Sequence, residues 1–289
     1  ELALESPISQ EKVAALQAPS PLNIFWWNTG WGLVSRKLIK AKIESENVLF
    51  QNIEDVIQGE NPPSLFILGE HCPGTIAKST KNLLNKIYPY SFELKKSNPH
   101  GSTLNGIWVF SVWPLKKISQ KILETKYESG TDRTYLLLKV SHPDGDFFLS
   151  PVHFYNPWRE IIKNTNFWDL PGVLGSQDNV NYAQIELHMK YLKEDVDFSK
   201  DRLIVIGDFN SLKNYWWITM TGYALFQQNL FDRGVTEITY PTLSSKKVDG
   251  DFPEIMIDHV FSTALIEGST LVLPLKGSDH YPILFNATF

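Results

Sequence analysis

Short apolar runs, each broken by a polar or glycine-containing step, dominate this chain. Residues 22–27 (LNIFWW) are apolar apart from Asn23, the signature of a strand buried on both faces, and the run stops at Asn28-Thr29-Gly30. Helical spacing follows over residues 35–58 through Leu38, Ile39, Ile43, Val48, Leu49, Ile53 and Ile57, and Gly59 and Pro62 end it. A short strand over 65–68 leads into Gly69-Glu70, and a helix over 76–86 is followed by an extended segment over 88–94. Further strands are predicted at 106–112 and at 135–140. The latter pairs with 147–153 across His142-Pro143-Asp144-Gly145, which carries hairpin turn chemistry. A helix over 182–193, a strand over 203–206 ending in Gly207-Asp208-Phe209-Asn210, a helix near Trp216, and strands over 255–261 and 281–286 complete the reading.

Strands in both halves with few helices imply two packed sheets with helices outside, rather than a regular doubly wound sheet. Residues 1–21 read as a poorly ordered leader with a short helix over 11–17 ending at Pro19 and Pro21. Residues 22–289 read as one domain, since no flexible linker, repeat or low-complexity tract interrupts them.

Composition narrows the function classes. With 27 basic and 32 acidic residues the formal net charge is −5, so no global positive field draws the chain to nucleic acid or anionic lipid. A nuclease, which needs only local positive charge and a metal, stays open. Cys72 is the single cysteine, which excludes an intrachain disulfide and a cysteine-rich zinc site. No apolar run approaches membrane-spanning length. Beginning at Glu1, the chain reads as a fragment or processed form, and both secretion and a cytoplasmic location remain open.

The chemistry lies at the strand ends, where Asn28, Glu70, His153, Asp208, Asn210, Asp258, Asp279 and His280 each follow or sit within an apolar run. Strands are rigid, and several can converge on one cleft. Hydrolysis of a phosphate ester needs charge stabilisation on the phosphoryl oxygens, an aimed and deprotonated water, and a neutralised leaving oxygen. Glu70, Asp208, Asn210 and Asp258 offer hard oxygen ligands that suit Mg²⁺ or Mn²⁺. His153 and His280 are groups whose charge changes near neutral pH.

Eight stretches in order carry a resemblance: NIFWWNTG, LFILGE, NGIWVFSVWPL, DRTYLLLKV, FFLSPVHF, LIVIGDFN, IMIDHVFS and GSDHYPI. Together they resemble the endonuclease/exonuclease/phosphatase superfamily of deoxyribonuclease I-like nucleases, sphingomyelinases and inositol-polyphosphate phosphatases, over nearly everything after residue 22. The resemblance implies a four-layered α/β sandwich, two central mixed sheets flanked by helices, with the site at one rim. It implies Glu70 as principal metal ligand, helped by Asn28, with Asp208 and Asp279 also near the metal. Asp208 and Asn210 orient or activate the attacking water and hold phosphate oxygen, and Asp258 supports His280. His153 contacts phosphate or serves as acid. Arg133 falls where phosphate-binding arginines occur. Either Asp208 or His280 takes the water's proton, and one metal ion or two are both compatible. Two positions depart from the pattern: Gly69 stands where glutamine commonly precedes the metal glutamate, and Met256 replaces a polar group two before Asp258.

Other features have plainer readings. His142 is a turn residue, His259 faces away from Asp258 on an alternating strand, His71 lies on a loop surface, and Cys72 is a quiet thiol. Trp216 and Trp217 are packing residues. Lys95-Lys96, Lys116-Lys117 and Lys246-Lys247 are solvated. The aromatic excursion over 155–179, with Tyr155, Trp158, Phe167 and Trp168, leaves directly after His153. It either stacks on bases, contacts lipid or folds over the body, and Trp158 is taken as a substrate contact. The expected activity is Mg²⁺-dependent cleavage of a phosphodiester, foremost in nucleic acid, by a monomer. A phospholipid or phosphoinositide substrate is the first alternative, and an inactive binding module the second.

Overall fold

The computed structural model describes residues 22–29, 39–71, 75–94, 106–124, 133–155, 180–211, 220–234, 256–275, 277–278 and 280–289. Sheet one is built from β1 (Leu22–Asn28), β2 (Leu65–His71), β3 (Tyr90–Leu94), β4 (Gly106–Ser111), β11 (Glu267–Val272) and β12 (Ile283–Thr288), in the order β11-β12-β1-β2-β4-β3. Sheet two holds β5 (Leu115–Leu123), β6 (Arg133–Val140), β7 (Phe147–His153), β8 (Leu203–Asp208), β9 (Phe231–Asp232) and β10 (Asp258–Ser262), in the order β5-β6-β7-β8-β10-β9. Each sheet is antiparallel except for one central parallel pair, β1 with β2 and β7 with β8. The helices are α1 (Ile39–Gln58), α2 (Thr75–Ile87), α3 (Val180–Asp195) and α4 (Thr221–Gln227).

The period of two in the strands explains the layering. On β6, Leu136 and Leu138 join the core shared with sheet one, whereas Tyr135 and Leu137 turn to the other face. On β8, Ile204 and Ile206 take the first role, and Leu203 and Val205 the second. That outer face is closed by Ile185, Met189 and Leu192 of α3 with Tyr223 and Phe226 of α4. Leu49, Ile53 and Ile57 of α1 and Leu83, Leu84 and Ile87 of α2 belong to the core of sheet one. The result is the expected α/β sandwich of two mixed sheets with flanking helices.

Three strands escape the sequence reading, and all are sheet edges or end strands. β5 carries LKKISQKIL, mostly exposed, so its lysines look like surface. β11 is similarly exposed, and β9 is two residues long. The hairpin over His142 to Gly145 is present, with the Gly145 amide donating to the His142 carbonyl at 3.0 Å. His142 is more than a turn residue. Its ring is buried against Trp113 and Phe289, at centroid distances of 4.3 and 4.8 Å. The leader 1–21, the helix expected near Trp216, Cys72, Trp217 and Lys246-Lys247 all lie outside the described residues.

Candidate active site

Register alone brings the site together. In sheet two, His153 pairs with Asp208 across the parallel β7–β8 ladder, and Asp208 pairs with Asp258 across the antiparallel β8–β10 ladder. The three side chains therefore form one row at the strand ends. In sheet one Asn28 pairs with Gly69, which leaves Glu70 one residue beyond the paired row. The β2–β4 pairing shifts register between Leu68 and His71, and Glu70 has φ +51°. Such a bulge re-aims a side chain, and here the Glu70 carboxylate faces the row from sheet two.

The contacts across the two sheets are short. His153 Nε2 lies 3.0 Å from Glu70 Oε1 and 3.7 Å from Asp208 Oδ2. Asn28 Nδ2 donates to Asp208 Oδ2 at 2.9 Å and sits 3.4 Å from His280 Nε2. His280 Nδ1 is 2.8 Å from Asp258 Oδ2, while its Nε2 is 3.9 Å from Asp208 Oδ2. Asp208 Oδ1 accepts the Asn210 backbone N–H at 2.8 Å, made possible by the left-handed turn at Asn210 (φ +47°). The Asn210 side chain gives its Nδ2 to the Phe154 carbonyl at 3.1 Å, and its buried Oδ1 meets no donor among the described residues.

Burial sets the electrostatics. Burial alone would raise the Glu70 carboxyl, but the charges of His153, His280 and Arg133 outweigh it and hold it below the ordinary glutamate value. Asp208 goes the other way. Burial, followed by the neighbouring Asp258 charge, lifts its carboxyl above the usual range despite His280 and His153. Arg133 at the start of β6 thus acts on the site through its field.

Glu70, His153 and Asp208 each offer a donor atom within 4.8 Å of the others, and so do Asp208, Asp258 and His280. The second trio is already committed, because both Asp258 oxygens have donors: His280 on Oδ2 and the Trp26 indole N–H on Oδ1 at 2.8 Å. The first trio, with Asn28 beside it, fits a hard divalent cation: two of its three members are carboxylates, and burial makes the ionised form of Asp208 costly unless positive charge stands beside it.

Of the residues selected from sequence, Asn28, Glu70, His153, Asp208, Asp258 and His280 meet in this cluster, with Asn210 bracing it and Arg133 near enough to shift Glu70. Asp279 and Trp158 lie outside the described residues. His259 points away as expected, its Nε2 2.8 Å from the Ser211 carbonyl. Met256 packs against the core. Sequence reasoning passed over the residues that clamp the cluster. Trp27 Nε1 donates to the His280 carbonyl at 2.9 Å, and Thr29 Oγ1 to the Gly69 carbonyl at 2.9 Å. Ser278 Oγ donates to the Asn28 carbonyl at 2.6 Å. The signal available was adjacency: each stands one or two residues from a selected position.

The family model described as "Endonuclease/Exonuclease/phosphatase family" matches residues 25–280. No curated protein matches the sequence. Among solved structures, a mannosyl-6-phosphatase from Bacteroides thetaiotaomicron is 14% identical with a TM-score of 0.62, covering 93% of this chain and 100% of that one. The human Nocturnin catalytic domain is 16% identical with a TM-score of 0.59, covering 93% of each chain. Truncated TDP2 from Caenorhabditis elegans is 15% identical with a TM-score of 0.55, covering 92% and 97%. At these identities the likeness is one of fold.

Proposed function

The chain belongs to the endonuclease/exonuclease/phosphatase family, and on that premise we propose that it is a Mg²⁺-dependent phosphodiesterase acting on nucleic acid. The observation that carries this reading is the convergence of Glu70, Asp208 and Asn28 beside a His280–Asp258 pair, from strand ends of both sheets. Glu70 and Asp208 would hold the metal, with Asn28 beside them, and Mn²⁺ suits the same oxygens. When bound, the ion neutralises charge on the phosphoryl group.

The protein's own residues supply proton transfer and orientation. Asp258 accepts from His280 Nδ1, so His280 carries its proton there and presents Nε2 as an acceptor. The Asn28 amide donor beside Nε2 supports the same tautomer. His280 Nε2 thereby takes the proton of the attacking water, with Asp258 stabilising the imidazolium that results. His153 Nε2 stands between Glu70 and Asp208, orienting both carboxylates, and Arg133 adds positive field for the substrate phosphate. The lipid alternative draws on Trp158, Phe167 and Trp168, which lie outside the described residues, and on Tyr155, whose backbone is held by Gln184 and Asn181 of α3.

The decisive test is a substrate panel in Mg²⁺ and in Mn²⁺: plasmid DNA, single-stranded DNA, RNA, sphingomyelin, phosphoinositides and a sugar phosphate. Product from nucleic acid that disappears in Asp208→Ala supports the proposal. Product only from lipid or sugar phosphate overturns the substrate, and activity equal in Asp208→Ala overturns the site.

A further inference from the structure

We infer that Trp26 is a positioning residue for His280, acting through Asp258, and that Gly69 is glycine because the Trp26 indole occupies the space a side chain would need. The inference rests on the proposed role of His280 as proton acceptor. Its geometry does not.

Trp26 and Asn28 lie two apart on β1 and so share a face of sheet one, the face on which Asn28 meets Asp208 of sheet two. The Trp26 indole is fully buried, and its Nε1–H reaches Asp258 Oδ1 at 2.8 Å. Asp258 is itself fully buried and holds His280 Nδ1 with its other oxygen at 2.8 Å. A carboxylate gripped on one oxygen alone can pivot about its Cβ–Cγ bond. Gripped on both, it holds the imidazole at one angle, and the Nε2 lone pair is aimed with it. Trp27 grips the same histidine from the main chain, its Nε1 donating to the His280 carbonyl at 2.9 Å. Adjacent indoles thus fix the two ends of the Asp258–His280 pair, one by side chain and one by backbone.

Gly69 supplies the room. A Cβ placed there would lie 2.6 Å from Trp26 Cη2 and 2.9 Å from Cζ2, closer than carbon atoms approach. Gly69 pairs with Asn28 and so sits next to Trp26 on the same face. Any side chain at position 69 must push the indole, and the push is delivered to the Asp258 hydrogen bond. The two positions are therefore coupled: a large donor-bearing ring at 26 requires no side chain at 69.

The test is a cycle of Trp26→Phe, Gly69→Ala and the double variant, read in two ways. The first readout needs neither metal nor substrate: the downfield proton resonance of His280 Nδ1–H, assigned by its loss in His280→Asn. We expect it sharp in the wild-type protein and shifted or exchange-broadened in each single variant. The second readout is steady-state kinetics on the substrate that the panel identifies. Here kcat should fall about 10- to 100-fold in Trp26→Phe with KM changed less than about twofold, because aim rather than binding is lost. Gly69→Ala should lower kcat when Trp26 is retained and have little further effect on top of Trp26→Phe, where the shorter ring leaves space. Additive losses in the two backgrounds would mean that Gly69 acts on Glu70 instead, and would overturn the coupling. An unmoved His280 resonance in both single variants would overturn the positioning role. Gly69→Ala keeps both hydrogen-bonding side chains, so the inference stays testable if Trp26→Phe does not fold. If the panel shows no activity, the functional reading fails while the resonance still decides this one.

Discussion

Gly207→Ala should unfold the sandwich at the point where the site is assembled. Gly207 immediately precedes Asp208 on β8, has φ +150°, and would place a Cβ 2.0 Å from the Val152 carbonyl oxygen on the neighbouring parallel strand. An ordinary contact requires about 1.4 Å more, and parallel strands hold a spacing of about 4.8 Å that does not yield by that amount without breaking ladder bonds. Forcing a side chain into that backbone conformation costs about 1–3 kcal/mol. Each ladder bond lost adds about 1 kcal/mol, so the total reaches about 4 kcal/mol, the scale of exceptional substitutions. Gly234→Ala is the matched control. It has φ +76° but nothing within 4 Å of its Cβ, so only the left-handed backbone penalty of about 1–2 kcal/mol applies. Urea denaturation followed by tryptophan fluorescence and by far-ultraviolet circular dichroism measures both. Equal losses in the two variants would show that no steric clash operates at position 207. Under conditions where Gly207→Ala remains folded, activity should still fall, because the strained pair, Val152 with Gly207, adjoins the one that sets His153 against Asp208.

Asp208→Ala and His280→Ala should each lower kcat by at least about 100-fold, the lower end of what positioned proton transfer contributes, with thermal denaturation still cooperative. Retained turnover in either purified variant would remove that residue from the mechanism. Exhaustive chelation should stop cleavage and Mg²⁺ should restore it, and activity that persists in chelated protein would contradict the metal site. His188 makes the fold acid-sensitive. It is fully buried, with Nε2 3.2 Å from Ser150 Oγ, and burial pushes its pKa from 6.5 down to about 3. The unfolded chain binds the proton below 6.5 and the folded chain does not until about 3, so stability is complete above 6.5 and is lost as pH falls between those values. At pH 5 this amounts to about 2 kcal/mol. His188→Gln should remove that share of the difference between pH 7 and pH 5 denaturation midpoints, and an unchanged difference would show that His188 protonates in the folded state.

The central strands were legible in the sequence because burial on both faces makes their apolar runs continuous: LNIFWW and LIVI are fully or almost fully buried. Edge strands lack that signal. β5 mixes three lysines with isoleucines in no strict alternation, Ile118 and Ile122 are more than a third exposed, and a bulge between Lys117 and Ser119 breaks its period. The candidate site was legible as a list of residues, since each stands where an apolar run ends, but not as a geometry. Nothing local says that His153, Asp208 and Asp258 share one row. That follows from strand order β7-β8-β10, in which β9 falls outside its place in the chain. The indole contacts were hidden for a related reason: Trp26 and Trp27 read as core, and they are core, with the polar edge of each ring turned to one partner.

Asn28, Glu70 and Trp26 come from sheet one, whereas His153, Asp208 and Asp258 come from sheet two. Their hydrogen bonds therefore cross the interface between the sheets, where packing alone tolerates small slides of one apolar face over another. Three of these bonds, Trp26 to Asp258, Asn28 to Asp208 and the Glu70–His153 pair, lie between 2.8 and 3.0 Å. Each is directional, and together they fix the sheets against translation along the strands. His280, which precedes β12 of sheet one, ties in a fourth point through Asp258 of β10. The carboxylates of Asp208 and Asp258, neighbours in one row, oppose this arrangement by mutual repulsion, which is part of why Asp208 is raised. Trp26 and Asn28 offset that repulsion as neutral donors, adding no charge to the row. Replacing Asn28 with aspartate would add a third carboxylate beside Asp208 Oδ2 and remove the donor. It should loosen the two sheets as well as weaken turnover, and hydrogen exchange at the ends of β1 and β8 would register the first effect without any substrate. Exchange rates unchanged in Asn28→Asp would show that apolar packing alone holds the register.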